Sequence, residues 1–127
     1  MSEAVFDRDV LLDALRGFPG AEGELLRVAR RFISRLTWIE LITAAQPAPD
    51  RADDTRRIEG FLSHFSVIDL SEDIARRAAM LCGSWKKLDL AEAVVLASAQ
   101  TSGRILVTRN TRAFPATMPG IRVPYTL

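Results

Sequence analysis

The fold is decided by residues 4–12, where an apolar triplet is followed by an acid and then by an apolar segment at helical spacing. These residues read Ala4-Val5-Phe6-Asp7-Arg8-Asp9-Val10-Leu11-Leu12. A short run rich in β-branched and aromatic residues is typical of a buried strand, and the apolar spacing after it indicates a helix. Asp7 is therefore predicted at the junction of a strand and a helix. Gly17 and Pro19 are predicted to end that helix.

The same alternation of short strands and helices continues along the chain. Further strands are predicted at residues 32–34, 67–68, 105–107 and 121–123, and helices at about 21–29, from Thr37, at 58–65, from Ser71 to Gly83 and from Asp89 to Gly103. Such alternation favours an α/β three-layer sandwich, with helices on both faces of a central, mostly parallel sheet of four or five strands. The chain has 127 residues, so we expect a single domain spanning residues 1–127.

Composition excludes several classes of protein. Hydrophobic residues make up 48% and charged residues 26% of the chain, which is typical of globular proteins and unlike disordered tails or coiled coils. The net charge of +1 does not indicate a strongly basic nucleic-acid-binding domain. The single Cys82 rules out a disulfide framework and fits a reducing compartment, so we expect a cytoplasmic protein. No apolar run reaches about 18 residues, and we expect no membrane span.

Acidic residues recur at the predicted ends of strands and starts of helices. Asp7 follows the first strand, Glu40 interrupts an apolar helical segment, and Glu92 lies near the start of an alanine-rich helix that opens at Asp89. Ligands of parallel sheets bind beyond the carboxyl ends of the strands. Carboxylates that converge there repel one another unless a cation neutralises them, and Mg²⁺ or Mn²⁺ prefers such oxygen ligands. A metal held in this way suits phosphodiester hydrolysis.

Each acid also has a purely structural interpretation. Asp7 or Asp9 is suited to cap the first helix, and Asp89 with Glu92 has the spacing of a capping box. Glu40 is compatible with a solvent-facing position on its helix. These alternatives stay open from the residues alone.

Four sequence blocks occur in a characteristic order. They are Val5–Asp13, Ser34–Leu41, Glu92–Ala99 and Gly103–Phe114, followed by Pro119-Gly120-Ile121-Arg122-Val123. Together they cover nearly the whole chain and resemble the PIN-domain ribonucleases, above all the VapC-like toxins of type II toxin–antitoxin pairs. The resemblance implies a PIN-like fold and a metal-dependent endoribonuclease that cuts RNA. It also implies that the protein forms a homodimer and is neutralised by a cognate antitoxin.

The resemblance also implies roles for individual residues. Asp7, Glu40 and Glu92 stand at the positions of the catalytic, metal-ligating acids, which are expected to hold Mg²⁺ or Mn²⁺. We expect further polar residues at the edge of the site, and arginines beside the motifs that contact the RNA backbone. The edge residues are Asp9, Asp89 and Asn110, and the arginines are Arg8, Arg109 and Arg112.

Three residues depart from the family pattern. Arg8 replaces a small hydroxyl residue, Glu92 is one methylene longer than the usual Asp, and Ala113 stands where many members carry an acid that it cannot replace. Asp89 lies one helical turn before Glu92 on the same face of the predicted helix, so we expect its carboxylate to compensate in part for these departures. The departures keep a second hypothesis open: a degenerate PIN fold that binds an antitoxin or RNA without cleaving it.

The region from Trp38 to Phe65 is predicted to contribute to an interface. Its apolar residues offer more surface than one small core is expected to absorb; they are Trp38, Leu41, Ile42, Phe61 and Phe65. We expect this region to take part in a homodimer or in a groove for an antitoxin helix.

Overall fold

A computed structural model describes residues 2–45 and 52–127 of the chain. Within these residues there are five strands and six helices. In chain order they are β1 (Glu3–Phe6), α1 (Arg8–Leu15), α2 (Pro19–Leu26), β2 (Arg30–Ser34), α3 (Arg35–Ala45), α4 (Ala52–Leu62), β3 (Ser66–Ile68), α5 (Glu72–Ser84), α6 (Leu90–Thr101), β4 (Leu106–Val107) and β5 (Ile121–Arg122).

The strands form one sheet in the order β3-β2-β1-β4-β5, and each neighbouring pair is parallel. This confirms the predicted α/β fold with a parallel sheet. The chain builds outward from β1 to β3 and then crosses back to place β4 on the other side of β1. The strand order therefore reverses between β1 and β4, and a crevice at such a point is where parallel sheets bind ligands.

Side chains alternate between the two faces of the sheet, as a strand requires. Ala4 and Phe6 pack into a core layer with helices α1 to α4, whereas Val5 packs into a second layer with α5 and α6. Phe32 and Ile33 divide between the two layers in the same way. Helices thus cover both faces, which makes the predicted three-layer sandwich.

Several helix boundaries differ from the prediction: the helix predicted at 58–65 spans Ala52–Leu62, and the one predicted at about 21–29 spans Pro19–Leu26. Pro19 does not end a helix but begins α2, because its fixed φ and missing N–H suit the first helical position. The turn before it relies on Gly17, whose φ of 81° favours glycine. Helix α3 begins at Arg35, and Thr37 lies inside it, fully buried, rather than capping it.

We expected five apolar residues between Trp38 and Phe65 to exceed what the core can absorb, and this expectation is wrong for three of them. Leu41, Ile42 and Phe65 are buried in the layer that covers the first face of the sheet, and Trp38 and Phe61 are half-buried against it. Four helices pack on that one face of the sheet, so this layer absorbs more apolar side chains than expected. Residues 46–51 of this region lie outside the described residues.

Candidate functional site

A cleft of about 250 Å³ opens where the strand order reverses. Its lining residues are Asp7, Arg8, Asp9, Glu40, Asp89, Ala91, Glu92, Val95, Arg109 and Asn110. The cleft therefore brings together every acid singled out in the sequence, along with Asn110 and two of the three arginines. The third, Arg112, reaches the cleft through its contact with Glu92.

Asp7 lies at the base of the cleft because it directly follows β1 and caps α1. Its Oδ1 accepts the Arg8 N–H at 2.8 Å, and its Oδ2 accepts the Thr108 hydroxyl at 2.7 Å. Thr108 follows β4 just as Asp7 follows β1, so two adjacent parallel strands deliver the pair. The Asn110 N–H donates to Thr108 Oγ1 at 3.0 Å, which leaves the hydroxyl proton for Asp7.

Burial raises the pKa of Asp7 above its ordinary value, and the charge of Glu92 adds to the rise. The hydrogen bond from Thr108 and the contacts with Arg8 oppose it. Asp9 lies two residues after Asp7, in the first turn of α1, where burial and the charge of Asp7 raise its pKa to about 6. The base of the cleft is thus a place where negative charge lacks full compensation.

Glu40 projects from α3 toward the same cleft. Arg8 Nη1 donates to Glu40 Oε2 at 2.8 Å, and the side chains of Arg8 and Glu40 are 54% and 26% exposed. Burial nevertheless raises the pKa of Glu40, and the charges of Asp7, Asp89 and Glu92 raise it further against the opposing charge of Arg8. Glu40 therefore faces the cleft, and the solvent-facing interpretation of this residue is wrong.

Glu92 both completes a capping box and lines the cleft, so its two interpretations hold at the same time. Its Oε1 accepts the Asp89 N–H at 3.0 Å while Asp89 Oδ1 accepts the Glu92 N–H at 2.8 Å, which completes a capping box for α6. Its Oε2 accepts Asn110 Nδ2 at 2.9 Å and Arg112 Nη2 at 2.7 Å. One carboxylate thus caps the helix and faces the cleft.

Within the described ranges 2–45 and 52–127, no three acidic, histidine or cysteine side chains stand close enough together to form a metal-binding group. Glu40 and Glu92 are each paired with an arginine instead. The donor chemistry still suits a hard cation, because the cleft offers carboxylate and amide oxygens around a buried acid. Arg8 and Arg112 are more than half exposed, so their guanidinium groups have room to move away.

Arg109 lines the cleft, but its guanidinium is anchored below it. Arg109 Nε and Nη2 donate to the two oxygens of the buried Asp13 at 2.7 and 3.1 Å, and the Tyr125 hydroxyl donates to Asp13 Oδ2 at 2.8 Å. The hydrogen bond from Arg109 is the main reason that the pKa of Asp13 lies below its ordinary value. Two of the N–H groups that the expected RNA contact would use are therefore already engaged.

Sequence reasoning missed Thr108, Asp13 and Tyr125. The rule that identified Asp7 also applies to Thr108, since each directly follows a buried strand. Asp13 accepts a hydrogen bond from the Arg109 guanidinium, although the two residues are 96 positions apart in the chain. No local sequence pattern predicts such a contact. Ala113, at a position where an acid was expected in relatives, is fully buried in the second core layer and does not line the cleft.

The profile of the PIN domain family matches residues 4–117. A chain of a solved toxin–antitoxin complex from Klebsiella pneumoniae is 35% identical, with a TM-score of 0.87, over 98% of this chain and 99% of that chain. The chain therefore belongs to the PIN domain family, which confirms the resemblance found in the sequence.

More distant solved structures share the fold. One is FitAcB from Neisseria gonorrhoeae, at 18% identity and a TM-score of 0.82 over 98% of this chain and 99% of that one. Another is VapBC2 from Rickettsia felis bound to a promoter DNA fragment, at 16% identity and a TM-score of 0.79 over 94% and 95%. No curated protein matches the sequence. None of the described helices is both long and apolar enough to cross a lipid bilayer.

Proposed function

We propose that the chain is a metal-dependent endoribonuclease, the toxin of a toxin–antitoxin pair that acts in the cytoplasm. The observation that carries the proposal is the convergence of five acids on one cleft at the switch point of the sheet; they are Asp7, Asp9, Glu40, Asp89 and Glu92. The 35% identical relative, itself a chain of a toxin–antitoxin complex, supports it.

In this proposal Asp7, Glu40 and Glu92 would hold Mg²⁺ or Mn²⁺, with Asp9, Asp89 and Asn110 at the edge of the site. The bound cation would activate a water and stabilise negative charge on the scissile phosphate. The protein's own part is to orient the acids. Thr108 fixes Asp7 by a hydroxyl whose direction is set by the Asn110 N–H, and the capping box fixes Glu92 on α6.

Arg8 and Arg112 are the arginines best situated to contact the RNA backbone. Their side chains are exposed at the mouth of the cleft, whereas Arg109 is anchored on Asp13. A guanidinium matches the geometry of a phosphate and complements its charge.

A second candidate function is a PIN fold that binds RNA or an antitoxin without cutting. The arginine contacts of Glu40 and Glu92 favour it, because both acids already have a positive partner. The buried Ala113 favours it too, because it contributes no oxygen ligand to the cleft.

Cleavage of single-stranded RNA by purified protein with Mn²⁺ separates the two functions. We expect the wild type to cut, and Asp7→Asn and Glu92→Gln each to lose about 100-fold or more, since even outer-shell changes at metal sites cost 10–100-fold. Asp73→Asn, on the exposed start of α5, is the matched control and should cut normally. A wild type as inert as both variants would overturn the nuclease and leave the binding module.

We propose that the antitoxin inserts an amphipathic helix beside α2 and α4. A groove of about 440 Å³ there is lined by apolar side chains that include the exposed Leu26 and the half-buried Phe61, with Arg31 and Arg57 at its side. An apolar helix face with acidic flanks complements this combination. Leu26→Asp should weaken binding of the cognate antitoxin, whereas Met80→Asp, at an exposed position on α5 outside this groove, should not; equal affinities would contradict the assignment.

We propose that a second copy of the chain covers a different groove, of about 370 Å³, between α3, α5 and α6. The small Ala75 and Ala79 line it, and the exposed Leu70 and Leu90 project at its edge. A twofold interface needs one patch that offers both projections and recesses, and this groove has both. Light scattering should give a dimer for the wild type and a monomer for Leu90→Arg; a monomeric wild type would contradict it.

A further inference from the structure

Arg8 sits among the acids that the cleft brings together. It begins α1 between Asp7 and Asp9, and its side chain crosses the cleft to α3, where Nη1 lies 2.8 Å from Glu40 Oε2. The contact joins residues 32 positions apart, so it is a product of the fold. A positive side chain is thus built into a site whose other charged residues are mainly acids.

The ion pair between Arg8 and Glu40 is exposed enough to be broken at little cost in stability. The Arg8 side chain is 54% exposed, and an exposed ion pair adds little to stability because water solvates both partners well. The guanidinium hangs on a long, flexible stem at the opening of the cleft. Arg109 differs in this respect, because it grips both oxygens of the buried Asp13.

A divalent cation and the Arg8 guanidinium compete for the same carboxylate. A cation coordinated by Glu40 would lie a few ångströms from the positive charge of Arg8, and like charges at that distance repel strongly in a partly buried site. Metal binding would therefore drive Arg8 off Glu40 and toward the cleft opening, where a phosphate of bound RNA would lie.

We propose that Arg8 is an exchangeable internal counter-cation, which neutralises Glu40 in the metal-free protein and passes to an RNA phosphate when metal binds. This inference rests on the proposed metal site. It makes metal and RNA binding mutually reinforcing, because each ligand favours the arrangement in which Arg8 has left Glu40, and such coupling is reciprocal. Arg8 then acts as a substrate-binding residue only after metal has entered.

The first test is Mn²⁺ binding, measured by calorimetry without RNA. Arg8→Gln removes the charge and retains a side chain of similar reach, and we expect it to bind Mn²⁺ about three- to tenfold more tightly than the wild type. Arg8→Lys retains the charge and should stay within about twofold of the wild type. The matched control is Arg30→Gln, which removes an exposed arginine paired with Glu3 outside the cleft and should leave the affinity unchanged.

The second test is binding of a hydrolysis-resistant single-stranded oligonucleotide, a 2′-O-methyl phosphorothioate RNA. We expect Arg8→Gln to weaken its binding at least threefold when Mn²⁺ is present and to leave it unchanged in EDTA, where Arg8 is held by Glu40. An Arg8 that contacts RNA permanently would weaken binding in both conditions, and an Arg8 that is only structural would weaken it in neither. Either result overturns the proposal.

The proposed metal site and the proposed exchange of Arg8 are contradicted by different results. If neither the wild type nor any variant binds Mn²⁺, the proposed metal site is wrong and the role of Arg8 falls with it. If the wild type binds Mn²⁺ but Arg8→Gln binds it equally or less tightly, the metal site stands and the exchange of Arg8 is wrong. Thermal unfolding of each variant checks that the fold is intact.

Discussion

Arginine–carboxylate pairs of two kinds occur in this protein, and they differ in burial rather than in chemistry. At the mouth of the cleft, the pairs of Arg8 with Glu40 and Arg112 with Glu92 have arginines that are 54% and 65% exposed. The second kind, which we call the anchoring pairs, comprises Arg109 with Asp13 and Arg122 with Glu24. The carboxylates of the anchoring pairs are 6% and 3% exposed, against 26% for Glu40 and 15% for Glu92 in the cleft pairs.

The electrostatic consequences are opposite. The pKa values of Asp13 and Glu24 lie below the ordinary range, mainly because each carboxylate accepts hydrogen bonds from its arginine. The pKa of Glu40 lies above it despite Arg8, because burial and three neighbouring acids outweigh one exposed cation. The anchoring pairs therefore stabilise the fold, whereas the Arg8–Glu40 pair leaves negative charge in the cleft that a further cation could neutralise.

The largest effect on stability is expected where an anchoring pair loses its buried acid. Asp13→Ala leaves Arg109 and the Tyr125 hydroxyl without their shared partner. Breaking a buried pair costs about 3–5 kcal/mol, and the partial exposure of Arg109 lowers our expectation to about 2–3 kcal/mol, or roughly 10 °C in Tm. Chemical denaturation measures the change. Asp73→Ala, an exposed acid on α5, is the control, and an equal loss in both variants would contradict the distinction.

The second prediction concerns Thr108, which is buried like the anchoring pairs but serves the cleft. Thr108→Val keeps the shape and removes the hydroxyl that joins Asn110 to Asp7, so Asp7 loses its orientation. Under the proposed function we expect RNA cleavage to fall about 10–100-fold, as for other residues that orient metal ligands. Thr108→Ser retains the hydroxyl and should cut at a rate close to that of the wild type. Equal rates for Val and Ser would remove Thr108 from the site.

The pH dependence of the free energy of unfolding isolates the contribution of one anchoring pair, Glu24 with Arg122. Because the pKa of Glu24 is lowered in the folded protein, its contribution is fully present above the ordinary glutamate pKa and is lost as the pH falls through the folded-state value. Glu24→Gln should therefore be less stable than the wild type by about 1–2 kcal/mol at pH 7, and the difference should vanish in acid. Urea denaturation over a pH series measures it.

The control for that series is Glu22→Gln, which removes the same charge from the exposed face of the same helix. Its stability should follow the wild type at every pH within about 0.5 kcal/mol. A constant gap between the Glu24→Gln variant and the wild type, unchanged from pH 7 to acid, would show that the loss comes from packing and not from the ion pair.

Local patterns predicted the fold well because strands and helices have their own periodicities. The apolar triplet before Asp7 identified the central strand, and the order of strands and helices implied the parallel sheet. Asp7 could be located because it directly follows that strand, and Asp89 with Glu92 could be recognised as a capping box from spacing alone. Pro19 misled the prediction because proline serves both after one helix and at the start of the next.

The side-chain pairing could not be predicted in the same way. Asp13, Arg109 and Tyr125 meet only in the folded chain, at separations of 96 and 112 residues, and any of several acids would have matched Arg109 from sequence. The sequence placed Arg109 with Arg8 and Arg112 as one group of RNA contacts. The structure divides this group, since burial of the partner acid decides which arginine is held and which is exposed.

The smallest expected loss of stability is at Arg112, and it tests the difference between cleft pairs and anchoring pairs directly. Its side chain is 65% exposed, and besides Glu92 it donates to the Lys87 carbonyl. Arg112→Ala leaves the Glu92 carboxylate with two donors, the Asp89 N–H and Asn110 Nδ2, so no buried charge loses all its partners. We therefore expect the free energy of unfolding to fall by less than about 1 kcal/mol, as is usual for an exposed pair. Arg109→Ala, measured beside it by the same denaturation, removes the same side chain from buried Asp13 and should cost at least about twice as much. If the two variants lose equal stability, burial of the carboxylate is not what distinguishes the anchoring pairs from the cleft pairs.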